Sequence, residues 1–370
     1  MLKIPDVTKH PFIGSSLSAI VRTLNESKWS IDIPYIPRLL YALAISCLTL
    51  PLRINERIKY GPIIKEVTVE NDPIFIIGPW RTGTTFLHKL LSCDPDRAIV
   101  TNFQAFVSPV SISGQGIYKS LISLHLPKNR PMDAITLSAD DPQEDEFAIG
   151  SLCGISSYNT LYFPRLIDYN FHRYLTFETA ATSEIDLWKK TYHHVIAKAT
   201  YLADGRQLIL KNPANTARVA LLLDMYPKAK FIYLWRDPYE IYLSFLRTFI
   251  RLAEIFTFQG FSDEYIANNV KSFYPRIIRR FIDAAPRIPS DNIVFLSYES
   301  LIKNPKSALY KIYDNLNLEG FSTAGPYFDK HIESQRNFKP AKYSIDPKIK
   351  HMIDTEWAEV NQYHQSLTEE

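Results

Sequence analysis

The sequence predicts an α/β protein: a parallel sheet flanked by helices, behind a helical N-terminal extension. Four short, unbroken apolar runs carry that expectation: PIFIIG (73–78), QLILK (207–211), AKFIYLW (229–235) and NIVFLS (292–297). They have strand length and no polar alternation, as strands covered on both faces do. A helical pattern follows each one, the order that a parallel sheet requires. Residues 1–72 instead read as amphipathic helix, with prolines at 34, 37, 51 and 62 as punctuation.

Bulk composition narrows the function. The 370 residues are 46% hydrophobic and 22% charged, ordinary for a globular chain long enough to bury a large core. A net charge of +3 is too mild for a nucleic-acid partner, so any anion site must be local. Cys47, Cys93 and Cys153 are widely spaced and odd in number, which makes neither a disulfide framework nor a zinc pattern. A reducing, cytoplasmic setting follows. No metal is expected.

The leader MLKIPDVTKHPFIG lacks the apolar core of a secretory signal. The most apolar stretch is LLYALAISCLTLPL (39–52), bracketed by Arg38 and Arg53 and interrupted by Pro51. It is shorter than the roughly 20 residues a spanning helix needs. The plain expectation is a buried helix. The alternative is a surface that rests on the inner face of a membrane or receives an apolar acceptor.

The run at 73–78 leads into a helix from Thr84, with Leu87, Leu90 and Leu91 on one side. Residues 100–200 read as helical and suit an acceptor-binding insertion. QLILK precedes a helix near Asn215 to Tyr226, and AKFIYLW precedes one from Pro238 through about Ile250. After NIVFLS, Asn304 is a good N-cap and Pro305 sits at the first helical position. The expected division is an extension (1–72), an α/β domain (73–350) and a tail (351–370). Ligands in such folds bind at the carboxyl ends of the strands. Gly78, Lys211, Arg236 and Ser297 belong at that edge.

The chemistry starts in FIIGPWRTGTTFLHKLL (75–91). Gly78 and Gly83 have the spacing of the phosphate loop G-x-x-x-x-G-K-[ST], but Thr84 stands in place of the lysine. The loop's cation is Arg81. Backbone N–H groups and a helix dipole can still hold an anion there. An ATP or GTP site would want the lysine, so its loss points away from a nucleotide triphosphate. A second cluster is RDPYEIYLS (236–244), where Arg236 ends a strand and Ser244 lies about two helical turns on. Arginine can grip a phosphate bidentately and the serine can add a donor. The competing explanation is an Arg236–Asp237 salt bridge that only closes the turn.

The loop resembles the 5′-phosphosulfate loop of sulfotransferases that use 3′-phosphoadenosine 5′-phosphosulfate (PAPS). The RDPYEIYLS segment is similar to their 3′-phosphate motif. The bacterial-type family reads G-x-[WP]-R-[ST]-G-T-T at the loop, and the resemblance runs over about residues 70 to 345. It also takes in LILKNPANTARVALLLDMYPKAKFIYLWRDP and VFLSYESLIKNPKSALYKIYDNL. The resemblance implies a P-loop-NTPase-like three-layer sandwich and transfer of a sulfuryl group from PAPS to a hydroxyl. Gly78, Thr82, Gly83, Thr84 and Thr85 would then hold the 5′ end, and Arg81 would stabilise charge on the leaving phosphate. Arg236 and Ser244 would hold the 3′-phosphate, and Tyr298 would lie near the adenine.

A hydroxyl acceptor needs a base. ADDPQEDEFAIG (139–150) resembles an acidic segment of this family and offers Glu144 and Glu146. Asp141, Pro142 and Glu144 have capping-box spacing, which spends Glu144 on structure and makes Glu146 the preferred base. Lys211 could touch the sulfuryl group, or simply end a strand. Asn212 and Asn215 replace the family's Ser/Thr and His, so no histidine role is available there. His88 reads as a packed or solvated helix residue. Arg336, Lys339 and Lys342 read as a solvated basic loop near the nucleotide. The acceptor is a small or lipid-like alcohol. The rival functions are a P-loop kinase with Asp237 on magnesium and a nucleotide-binding protein without catalysis. Oligomeric state is not legible.

Overall fold

The computed structural model describes residues 6–116, 118–120, 138–335 and 346–369. The chain divides into two compact units. One comprises Asn71–Ala98, Arg206–Arg247 and Val270–Glu370 and carries most of the sheet; the other comprises Met1–Glu70, Ile99–Gly205 and Thr248–Asn269.

Among the described residues the sheet has five strands: β1 (Ile74–Ile77), β2 (Arg97–Ile99), β3 (Gln207–Lys211), β4 (Lys230–Trp235) and β5 (Ile293–Ser297). Their order is β2-β3-β1-β4-β5, and β3-β1, β1-β4 and β4-β5 pair in parallel. The three-residue β2 is the strand the sequence did not announce, because Arg97-Ala98-Ile99 is too short to show a period. Register aligns the carboxyl ends. Ile76 pairs with Lys211, Ile77 with Tyr233, and Trp235 with Ser297. Gly78, Lys211, Arg236 and Ser297 thus end neighbouring strands on one edge. The chain crosses from β3 on one side of β1 to β4 on the other, the switch point where such sheets bind ligands.

Every residue of β1 is buried, since both faces are covered. Ile74, Ile76, Ile232 and Leu234 pack with Leu87, Leu90, Leu309 and Ile312 from helices. From the alternate positions, Phe75 stacks on Phe231, and Tyr233 lies parallel to Phe281 with centroids 4.1 Å apart. Asn304 caps the Pro305–Asn315 helix by accepting from Ser307 N, with Pro305 in the first turn.

The other unit is helical. α1 (Leu17–Glu26) buries Ala19, Ile20 and Leu24. α2 (Ile36–Leu48) and α3 (Leu50–Lys65) replace the buried helix expected over 39–52. They break at Thr49 and bend by 45°, with Pro51 in the first turn of α3. The expectation fails because only one face of each helix packs. On α2 that face is Arg38, Leu39, Ala42 and Ser46, anchored where Arg38 donates to the carbonyl of Thr257 at 2.6 Å. On α3 it includes Glu56, which accepts from Ser113 N at 2.8 Å and from the ammonium of Lys198 in the Thr182–Leu202 helix. Burial lowers the Lys198 pKa and Glu56 opposes the shift. Among the described residues no single helix is long and apolar enough to cross a membrane.

Candidate active site

β1 runs into the loop Gly78–Gly83, and α4 (Thr84–Leu91) starts where the loop ends. Both loop ends have a backbone that favours glycine. Gly78 has φ +133°, and a Cβ there would sit 2.1 Å from the carbonyl oxygen of Leu234. Gly83 has φ +90°, and its missing side chain makes room for the Tyr298 ring, whose Cδ2 would be 2.4 Å from a Cβ. Two hydroxyls fix the loop. Thr216 Oγ1 accepts from Gly78 N at 2.8 Å, and buried Thr82 donates from Oγ1 to the carbonyl of Pro79 at 2.8 Å. The Trp80 ring stacks on Phe245. Arg81 adopts φ +75°, uncommon without glycine and a sign of a shaped backbone. Thr84 is buried and Thr85 partly exposed in the first turn of α4.

The second motif closes on the first. Arg81 Nε donates to the buried Ser244 Oγ at 2.8 Å. Arg236 stacks over the Tyr298 ring at 4.2 Å and reaches the Arg81 carbonyl at 3.4 Å. Its other end pairs with Glu240. The Arg236–Asp237 bridge weighed above is not the arrangement found. Asp237 instead accepts from Tyr239 N at 2.8 Å, at the start of the Pro238–Phe256 helix. Arg236 Nε is buried with no hydrogen-bond partner among the described residues, an orphan donor that an anion would satisfy. So Gly83, Arg81, Ser244, Arg236 and Tyr298 are brought together around one loop. Lys211 is buried at the end of β3. His88 is packed, with Nε2 3.3 Å from the carbonyl of Ile209; burial and the Lys211 charge lower its pKa to about 3.

Sequence reasoning missed Glu240, Thr216 and Trp80. The i,i+4 spacing of Arg236 and Glu240 was a usable signal. Nothing local marks Thr216, which reaches Gly78 from a distant segment.

In the helical unit the capping box expected at Asp141, Pro142 and Glu144 does not form. Pro142 makes an antiparallel bridge with Thr101, and Gln143 N donates to the Val100 carbonyl at 2.9 Å. This extended pairing postpones the helix to Glu146–Cys153. The capping box belongs instead to Thr101 and Gln104, at the start of α5 (Asn102–Phe106). Glu146 is 0% exposed and accepts from the backbone of Ser157 and from Ser156 Oγ. Glu144 is 8% exposed and accepts from Tyr158 OH. Burial, then the charge of Glu144, raise the Tyr158 pKa, so the phenol keeps its proton and donates. Arg336, Lys339 and Lys342 lie outside the described residues.

These features make a strand–loop–helix turn at the switch point of a parallel sheet, of the P-loop kind but without its lysine. The chain belongs to the sulfotransferase family, whose profile matches residues 73–323, and it is an enzyme, a sulfotransferase. It is 29% identical over 357 residues to omega-hydroxy-beta-dihydromenaquinone-9 sulfotransferase Stf3 of Mycobacterium bovis. The same values hold for Stf3 of Mycobacterium tuberculosis, and each match covers 94% of this chain and 89% of the relative. The fold matches the crystal structure of sulfotransferase STF9 from Mycobacterium avium with a TM-score of 0.70, at 18% identity, over 96% of this chain and 91% of that one. For STF1 of Mycobacterium tuberculosis H37Rv the TM-score is 0.57, at 18% identity, with 85% of each chain covered.

Proposed function

We propose that the sulfuryl donor is PAPS and that the acceptor is a hydroxyl on a lipid-like molecule. The observation that carries the donor is the convergence of two anion motifs on one loop. The Gly78–Gly83 turn with Arg81 suits the phosphosulfate end, while buried Ser244 and the unsatisfied Arg236 Nε suit a second phosphate. Thr84 in place of lysine, and an Asp237 carboxylate already accepting from Tyr239 N, speak against the kinase reading. The acceptor class rests on the Stf3 relatives, which act on a menaquinone derivative by their names.

In this reading backbone N–H groups from Gly83 to Thr85, with the Thr84 and Thr85 hydroxyls, cradle the 5′ end. The Thr82 hydroxyl is engaged with Pro79, so that residue contributes through its backbone. Arg81 meets the charge that develops on the leaving oxygen. Lys211 steadies the sulfuryl oxygens, and Tyr298 offers its ring to the adenine. The base is Glu144 rather than Glu146. The only argument that set Glu144 aside was the capping box, which does not form, and Glu146 holds the Ser156–Ser157 turn. Free thiols at Cys47, Cys93 and Cys153 suit a cytoplasmic enzyme.

Calorimetry tests the donor. Adenosine 3′,5′-bisphosphate should bind without metal, and ATP with magnesium should bind much more weakly. Tight ATP–magnesium binding with no bisphosphate binding would reverse the assignment.

A further inference from the structure

The surface of the helix pair α2–α3 opposite its buried face is apolar and carries charge of one sign. Ile33 is 81% exposed, Leu48 74%, Ile58 71% and Leu40 59%. Ile36 and Leu40 lie one turn apart on α2, and Leu50, Ile54 and Ile58 follow at four-residue steps on α3. Each set therefore forms a stripe along its helix. Soluble monomers rarely leave so many large apolar side chains contiguous and uncovered.

The charges select the occupant. From Ile33 to Lys65 the sole carboxylate is Glu56, buried against Lys198. Arg57, Lys59 and Lys65 are exposed, and the next carboxylate, Glu66, stands past the end of α3. A second copy packed through this face by a two-fold axis would bring like charges together. An anionic lipid leaflet complements both features, with acyl chains for the stripes and phosphates for the cations. A spanning arrangement suits the pair poorly. The bend is 45°, and Arg57 and Lys59 flank the exposed Ile58.

We propose that Ile33–Lys65 is a membrane-docking element that lies flat in an anionic leaflet, its apolar stripes in the acyl region and Arg57, Lys59 and Lys65 at the headgroups. An enzyme so held would work where a lipid-like alcohol is dissolved. The docking itself does not depend on the donor or acceptor proposed above, and its readout needs no transfer activity.

The test is co-sedimentation of the full chain with vesicles of phosphatidylcholine alone or mixed with phosphatidylglycerol. Binding should require phosphatidylglycerol and weaken as salt rises. The Leu48→Glu/Ile58→Glu variant should lose at least about tenfold in partitioning. Arg57→Glu/Lys59→Glu should lose at least about tenfold on mixed vesicles, through charge alone. All four side chains are exposed, so thermal melting should match that of the parent protein and certify the fold. Three outcomes would overturn the proposal: no binding by the parent protein, binding indifferent to both variants, or a dimer in sedimentation velocity that Leu48→Glu/Ile58→Glu disperses while vesicles are ignored. The last would make this face a subunit interface.

Discussion

Arg81 on the loop and Arg236 beside it are two cations with different expected duties. If, as proposed, Arg81 meets the charge that grows as the bridging oxygen leaves, Arg81→Ala should cost roughly a hundredfold or more in kcat with a smaller change in bisphosphate affinity. On the same proposal Arg236 holds the remote phosphate, so Arg236→Ala should mainly weaken donor binding. Its ring partner Tyr298 and its orphan Nε both place its worth in the bound state. Identical kinetic changes in the two variants would refute the division, and the Arg81–Ser244 hydrogen bond makes the comparison a stringent one. The carboxylates separate in the same way. Glu144→Gln should fold and lose at least roughly a hundredfold in rate, the lower end for removing a general base. Glu146→Ala should instead lower stability by about 2–3 kcal/mol, because it strands the buried backbone N–H of Ser157. Near-normal turnover by Glu144→Gln would return the role to Glu146.

The strand–loop–helix turn depends on its two glycines in different ways. At Gly78 an added Cβ meets main chain that cannot move, so Gly78→Ala should fail to fold well. At Gly83 it meets the edge of the Tyr298 ring, which can swing away. Gly83→Ala should therefore fold and bind the bisphosphate at least about tenfold more weakly, from the left-handed backbone penalty plus the displaced ring. Unchanged affinity would remove Tyr298 from the donor pocket. This element was the most legible part of the sequence, because an apolar run, the glycine spacing and a helix start coincide within a few residues. Legibility failed where a distant partner decided. Asp141-Pro142-Gln143-Glu144 has the local signature of a helix start, yet pairing with Val100 and Thr101 holds it extended. The stretch 39–52 read as core because apolarity alone does not say which face of a helix finds a partner.

The sheet-bearing unit holds two neutral histidines that acid should expose. Burial, with the Lys211 charge, lowers His88 to about 3, and burial lowers His364, hydrogen-bonded to Tyr233 OH at 2.8 Å, to about 4. Both folded values lie below the unfolded 6.5, so unfolding takes up protons as pH falls through that value. Stability is full well above pH 6.5 and should drop by about 4 kcal/mol for the pair by pH 5, where most carboxylates have yet to titrate. Urea titrations across that window would show it, and a flat profile would mean these rings are accessible. The enzyme's function turns on which donor supplies the sulfuryl group. Radiolabelled sulfate in PAPS, incubated with the protein and a long-chain lipid alcohol without added metal, decides it. Label should appear in the organic phase with stoichiometric release of adenosine 3′,5′-bisphosphate, and both should be lost in Arg81→Ala. Label that stays in the aqueous phase with every alcohol offered, or phosphoryl transfer from ATP in its place, would contradict this assignment.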